Sequence, residues 1–243
     1  MVIMRILLTN DDGINAAQLL PLIKWCKKLG DITVVVPKYE QSGKSQSIEL
    51  HQSIEAKEVE LEPGIKAWAV DSSPADCVRF AKIMLGKEFD LVISGVNRGL
   101  NVGVDVMYSG TASAILEAGV LGFPGIALSI APAGYESCIE KLDEVLEIFK
   151  KHDLMSKHSL YNVNLPNEAP KGYRFTRSGG AHFTVDFRPE GNDMYFPFGD
   201  YIYQNQHNLD IDGDAVEDGY ISISPMTLQR VDMGVLEELK KEI

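Results

Sequence analysis

Arg5-Ile-Leu-Leu-Thr-Asn-Asp-Asp-Gly13 is the stretch whose reading decides the fold. A short apolar run without polar alternation fits a strand buried on both faces, as in a parallel sheet covered by helices on each side. The run ends abruptly in an amide, two adjacent carboxylates and a glycine. Successive side chains of a strand point to opposite faces, so Asp11 and Asp12 converge on one ligand only if the backbone turns there, and Gly13 permits the turn. Two ionised carboxylates side by side repel each other, and a divalent cation is the usual means of holding both charged. Asn and Asp before Gly also form ordinary turns. The stretch alone leaves both readings open.

Working outward, Leu19, Leu22, Ile23, Cys26 and Leu29 fall on one helical face and predict a crossover helix, with Pro21 near its start and Gly30 at its end. Ile32-Thr-Val-Val-Val36 then reads as a second buried strand closed by Pro37. A right-handed βαβ unit puts both strand ends on one edge, so the loop from Lys38 to Ser47 is expected to face Asp11 and Asp12. Gly43-Lys44-Ser45 in that loop is not a P-loop, because Lys38 stands where the first glycine is required and no helix is signalled after it. Gln41-Ser42-Gly43 is expected to bring a hydroxyl and a free backbone to the acidic turn, with an exposed polar loop as the plain alternative.

Alternation at Ile48, Leu50, Ile54, Val59 and Leu61, with a turn at Pro63-Gly64, predicts amphipathic strands near a sheet edge. Ala67-Trp-Ala-Val70 follows as a strand, and Ser73-Pro74-Ala75-Asp76 combines an N-cap, a first-turn proline and an acid at a helix start. Asp71 and Asp76 therefore read as turn and cap residues. A third buried strand from Phe89 runs into the glycine-punctuated loop Gly95-Val-Asn-Arg-Gly-Leu-Asn-Val-Gly103. Asn97 and Asn101 flank Gly99 there, able to offer amide oxygens to a cation or amide donors to a phosphate. Ser109-Gly110-Thr111 opens a further helix, whose free N–H groups suit a phosphate, unless Ser109 or Thr111 simply caps it.

The chain has 243 residues, enough for one α/β domain with an elaboration. A net charge of −12 argues against general affinity for nucleic-acid polymers, although one cation and a few N–H groups can still hold a single phosphate. No apolar run is long enough to span a bilayer, and Met1 to Arg5 leads into the first strand without signal-peptide features, so a cytoplasmic protein is expected. Cys26, Cys77 and Cys138 are an odd, scattered set, expected as buried thiols rather than zinc ligands or disulfides.

Several motifs in one order resemble those of the SurE survival-protein nucleotidases: Asn10-Asp11-Asp12-Gly13, Gln41-Ser42-Gly43, Pro74-Ala75-Asp76-Cys77, Ser94-Gly95-Val96-Asn97-Arg98-Gly99-Leu100-Asn101 and Tyr108-Ser109-Gly110-Thr111. Gly122 to Ser129, Asn162 to Pro166, Asp212 to Ala215 and Gly219 to Pro225 extend the match, so it runs from about Arg5 to Pro225. The resemblance implies a metal-dependent phosphomonoesterase acting on nucleoside 5'-monophosphates, and on 3'-monophosphates as well. It also implies a Rossmann-like three-layer α/β core with a mostly parallel sheet, a projecting β-hairpin and a C-terminal helix. Its metal ligands fall on Asp11, Asp12, Ser42 and Asn97, with Asp11 and Asp12 also the catalytic residues, and its phosphate contacts on Asn101, Ser109, Gly110 and Thr111. Such an all-oxygen set suits magnesium or manganese, with calcium as a further occupant, one ion per subunit. The sequence departs from the family at Asn15-Ala16-Ala17 and Ser72-Ser73, which bears on loop shape rather than on these ligands.

On this reading residues 1–170 form the catalytic core, 171–208 an excursion of hairpins for oligomerisation, and 209–243 a return strand and a charged helical tail. Cys138, Leu142, Val145, Leu146 and Phe149 predict a helix, and Tyr161 to Leu165 a strand. Aromatics between Tyr173 and Tyr203 suit a subunit interface in a homodimer or homotetramer. Asp210-Ile-Asp-Gly-Asp214 reads as a turn, since its glycine is misplaced for a calcium loop. His182 and His207 read as structural. The competing expectation is a non-catalytic nucleotide sensor on the same scaffold, which the adjacent carboxylates disfavour.

Overall fold

The computed structural model describes residues 3–242, so the expectations at Met1, Val2 and Ile243 lie outside the described residues. The opening apolar run is β1 (Met4–Thr9), which pairs in parallel with β2 (Gly30–Pro37) on one side and β5 (Leu91–Arg98) on the other. Flanked in this way, Ile6, Leu7 and Leu8 are all fully buried. Burial of each such side chain stabilises the fold by roughly 1.5–3 kcal/mol.

The crossover helices are α1 (Leu19–Cys26), α2 (Pro74–Ile83), α3 (Gly110–Val120) and α4 (Leu142–His152), the last followed by the single turn α5 (Leu154–Lys157). They divide between two faces as strand alternation requires. Ile6 and Leu8 share a core with Leu22, Ile23 and Cys26 of α1 and Leu142 and Phe149 of α4. Leu7 points the other way, into Cys77, Val78 and Ala81 of α2 and Ala114 and Ala118 of α3. Cys26, Cys77 and Cys138 are all buried free thiols.

The remaining sheet strands are β3 (Ala56–Glu62), β4 (Ile65–Val70), β6 (Gly125–Ile130), β7 (Leu160–Leu165), β8 (Tyr173–Phe175) and β11 (Ile221–Pro225). The nine strands lie in the order β3-β4-β2-β1-β5-β6-β7-β11-β8. All pairings are parallel except β3 with β4 and β11 with β7. The chain thus builds outward from β1 through β2 to β4, returns to the other side of β1, and builds β5, β6 and β7. The direction reverses between β1 and β5, and connections leaving such neighbours to opposite sides open a crevice at their carboxyl ends.

Several expectations change. Residues 48–54 form no strand: the Glu49 N–H donates to the Asp76 carboxylate, and the Glu49 carboxylate accepts from the N–H groups of His51 and Gln52, so turn bonds take the place of a ladder. Gly30 begins β2, paired with Met4, because α1 already closes at Cys26. Tyr173 and Phe175 belong to the main sheet, while the projecting hairpin is β9 (Asp186–Gly191) with β10 (Met194–Phe198), exposed along its whole length. The Asp210–Asp214 turn is the start of a short helix, α6 (Asp212–Glu217), and Asp212 and Asp214 are buried. Asp212 accepts from the N–H groups of Gly103 and Gly179, and Asp214 from those of Gln206 and Asn208, so the two carboxylates tie distant loops together. Cys138 lies in a 3-10 segment, Pro132–Lys141, ahead of α4. The tail carries α7 (Met233–Leu239), none of whose residues is buried.

Candidate active site

The acidic turn is closed by Asn10, whose side chain accepts from the Gly13 N–H and donates to the Gly13 carbonyl, both at 3.0 Å. Gly13 adopts φ +86°, and a Cβ there would sit 3.0 Å from the Tyr39 backbone, so only glycine fits. The Gln41 N–H donates to the Asp11 carbonyl at 2.7 Å, which draws the loop after β2 onto the end of β1 as the βαβ geometry predicts.

Asp11 is buried. The Thr111 hydroxyl donates to its Oδ1, and Gly110 presses so closely that an added Cβ would lie 2.8 Å from the Asp11 Cβ. Burial pushes the Asp11 carboxyl above its ordinary value, with the Thr111 bond opposing. Asp12 is half-buried, and its Oδ2 has no hydrogen-bond partner among the described residues. Its pKa is pushed up to about 6, chiefly by burial and then by the charges of Asp11 and Glu40, against the pull of the Arg98 backbone N–H and guanidinium.

The structure brings Asp11, Asp12, Ser42, Asn97, Asn101 and Ser109 around one cleft of about 390 Å³ at the carboxyl ends of β1 and β5. Ser42 is exposed and donates to Glu40 at 2.8 Å. Asn97 commits its amide nitrogen to the Gly99 carbonyl at 2.9 Å, which leaves its oxygen as the atom free to meet a cation. Asn101 donates to Ser129 at 2.8 Å, while its backbone is gripped by Asn162 and Asn164 of β7; those two buried amides hold the loop from beneath. Ser109 caps α3 by accepting from the Ala112 N–H at 3.0 Å, and it also lines the cleft. Gly110 and Thr111 are not on the cleft surface. Both are buried at the start of α3, Thr111 bonded to the Asp11 carboxylate and Gly110 packed against it.

Glu40, Arg98, Asp105 and Tyr108 complete the walls and were missed as site residues. Arg98 directly follows Asn97 in the chain, and a cation beside a candidate ligand in a glycine-punctuated stretch was the usable signal. Among the described residues no three His, Cys, Asp or Glu side chains are grouped to hold a metal. The donor set is instead two carboxylates, a hydroxyl and an amide. These residues fit a hard divalent cation, whose charge would offset the burial and mutual repulsion of the two carboxylates and give the Asp12 Oδ2 a partner.

A doubly wound, mostly parallel sheet with an oxygen-rich crevice at its switch point defines a Rossmann-like α/β protein built to hold a small anionic ligand with a cation. The sequence matches the family described as Survival protein SurE over residues 6–185. It is 38% identical to the 5'-nucleotidase SurE of Desulforudis audaxviator, over 98% of this chain and 97% of that protein. It is 37% identical to the 5'-nucleotidase SurE of Syntrophomonas wolfei, over 98% and 94%. The crystal structure of the SurE protein from Aquifex aeolicus superposes with a TM-score of 0.75 at 28% identity, covering 98% of this chain and 99% of that one. The chain belongs to the SurE survival-protein family.

Proposed function

We propose that this chain is a metal-dependent 5'-nucleotidase that hydrolyses nucleoside monophosphates to nucleoside and phosphate, with 3'-monophosphates as further substrates. The observation that carries the proposal is the pair Asp11 and Asp12, crowded at the switch point and lining the same cleft as Arg98 and Ser109, with one buried Asp12 oxygen unpartnered among the described residues. Asp11, Asp12, Ser42 and Asn97 hold the cation, magnesium or manganese, which when bound supplies Lewis-acid charge to the phosphoryl group and to water. Arg98 and the Ser109 hydroxyl, which has its proton free to donate, bind the phosphate and oppose its growing charge, while Asn101 positions it from a loop anchored on β7. Asp11, enclosed by Thr111 and Gly110, is the fixed member of the pair. Asp12, open to the cleft, is the carboxylate placed to accept a proton from attacking water.

Exposed Phe187, Tyr195, Phe196 and Phe198 on the β9–β10 hairpin support assembly into a homodimer or homotetramer, since an isolated two-stranded hairpin is marginal in water. Among the described residues no helix is long and apolar enough to cross a membrane, which accords with an enzyme of the cytoplasm. The test is phosphate release from a panel of nucleoside monophosphates with and without EDTA, followed by add-back of single metals. Binding without release under every metal would make the protein a nucleotide sensor instead.

A further inference from the structure

Asn101, Asp105, Tyr108 and Ser109, which line the cleft, all stand on one segment between β7's grip on Asn101 and the start of α3. Its regular part is a 3-10 stretch, Gly103–Tyr108, and so short a helix does not fix its own position. The position is set from outside. The Gly103 N–H donates at 2.8 Å to Oδ2 of Asp212, which lies 109 positions further along the chain. Gly103 has φ +60°, and a Cβ there would lie 2.0 Å from the Gly180 carbonyl oxygen, so the segment rests directly on residues 179–182. The Val104 N–H donates to Gly180 at 3.3 Å, and Asp105 accepts the His182 N–H at 2.9 Å. Asp212 secures that surface as well, because its Oδ1 accepts from the N–H groups of Gly179 at 3.0 Å and Gly213 at 2.8 Å. One carboxylate thus holds both the segment and what the segment rests on.

The task suits a carboxylate, which offers acceptors on both oxygens and no donor. An asparagine turned to keep Gly179 and Gly213 would set its own amide hydrogens against the Gly103 N–H. Burial pushes the Asp212 carboxyl above its ordinary value, and the three N–H groups pull the other way. Asp214, two residues on, is also buried and also accepts three bonds, from the Tyr203 hydroxyl and the N–H groups of Gln206 and Asn208. None of those three partners lines the cleft. The two carboxylates of α6 therefore differ in what they hold, not in how deeply they are buried. We infer that Asp212 is a positioning residue for the reaction: through Gly103 it fixes the segment that presents Asp105, Tyr108 and Ser109 to the cleft, without itself touching substrate. The inference rests on the nucleotidase reading and deepens it.

The test measures kcat and KM for adenosine 5'-monophosphate on the full-length protein loaded with magnesium or manganese, well below the melting temperature of each variant. Loss of folded protein lowers apparent kcat and leaves KM alone, whereas a displaced binding segment raises KM. Asp212→Asn should raise KM by about tenfold, which is what one lost hydrogen bond to a charged phosphate amounts to. Asp214→Asn should lower the melting temperature and leave KM unchanged. An unchanged KM in Asp212→Asn, or an equal rise in Asp214→Asn, overturns the inference. Circular dichroism checks folding, and Asp212→Ser, smaller and still an acceptor, replaces an asparagine variant that fails it. Hydrogen exchange on wild type needs no variant: the Gly103 amide should exchange as slowly as those of α3, and exchange at the rate of an open loop overturns the inference. If wild type releases phosphate from no nucleotide, the nucleotidase reading fails. Binding of inorganic phosphate by calorimetry, weakened in Asp212→Asn and kept in Asp214→Asn, then still decides the role of Asp212, and no binding by wild type overturns it.

Discussion

Asp12→Asn should make the metal-free protein more stable at pH 8 while abolishing its response to metal. In the fold the Asp12 carboxyl rises from 3.8 to about 6, so the folded chain holds this proton more tightly than the unfolded chain does. The contribution of this group is therefore complete below about pH 4, is lost as pH rises from about 4 to 6, and stays lost above that. Allowing for partial solvent screening, the loss is about 2 kcal/mol. For a chain of this size that is roughly 4 to 8 °C in Tm. In EDTA at pH 8 the variant should melt higher by about this amount, and near pH 4.5 the gap should mostly close. Magnesium at one hundred times its Kd should add about 2.7 kcal/mol to wild type and little to the variant. Differential scanning calorimetry at the two pH values, with and without metal, reads all four quantities. A metal-free variant that melts lower than wild type at pH 8 would mean that Asp12 is a satisfied turn residue, and the metal assignment would fall with it.

Hard oxygen donors at Asp11, Asp12, Ser42 and Asn97 lead to recovery of activity in the stripped protein with magnesium or manganese; recovery with zinc alone in the add-back assay would contradict that ligand set. Thr111→Val removes the donor to buried Asp11 and should cost about 1–3 kcal/mol by urea denaturation, together with turnover, while Thr111→Ser retains both. If Thr111 instead touched the substrate phosphate, the valine variant would raise KM and leave stability alone. Replacing residues 186–198 by a short Gly-Ser linker should reduce the assembly size seen by light scattering, because the hairpin's apolar side chains are otherwise left in water; an unchanged mass would place the interface elsewhere.

What could be read from the sequence was what neighbours in the chain decide. Ile6-Leu-Leu8 without alternation is enough for a doubly covered strand, and Ser73-Pro74-Asp76 is enough for a helix start, because capping is settled within three residues: Ser73 accepts from the Asp76 N–H in the structure. The Asn10-to-Gly13 turn is equally local, since the amide and glycine that close it lie three residues apart. Alternation at Ile48, Leu50 and Ile54 misled because a period of two reports a face and not a partner, and Asp76 captured the Glu49 N–H that a ladder would have needed. The same blindness assigned Tyr173 and Phe175 to the excursion instead of the sheet edge beside β11.

Tertiary structure alone decided the contacts made across the chain. Thr111 lies one hundred positions from Asp11 and bonds to it only because α3 begins against the turn after β1, which no spacing in the sequence encodes. Asp212 and Asp214 are buried because loops from Gly103, Gly179 and Asn208 converge on them and supply N–H groups that offset desolvation. Arg98, Asp105 and Tyr108 become cleft residues through the reversal of strand order between β1 and β5. Composition and periodicity constrain each strand and helix by itself, whereas the crevice exists because β1 and β5, far apart in the chain, were laid side by side, and that order is set by the packing of the whole sheet.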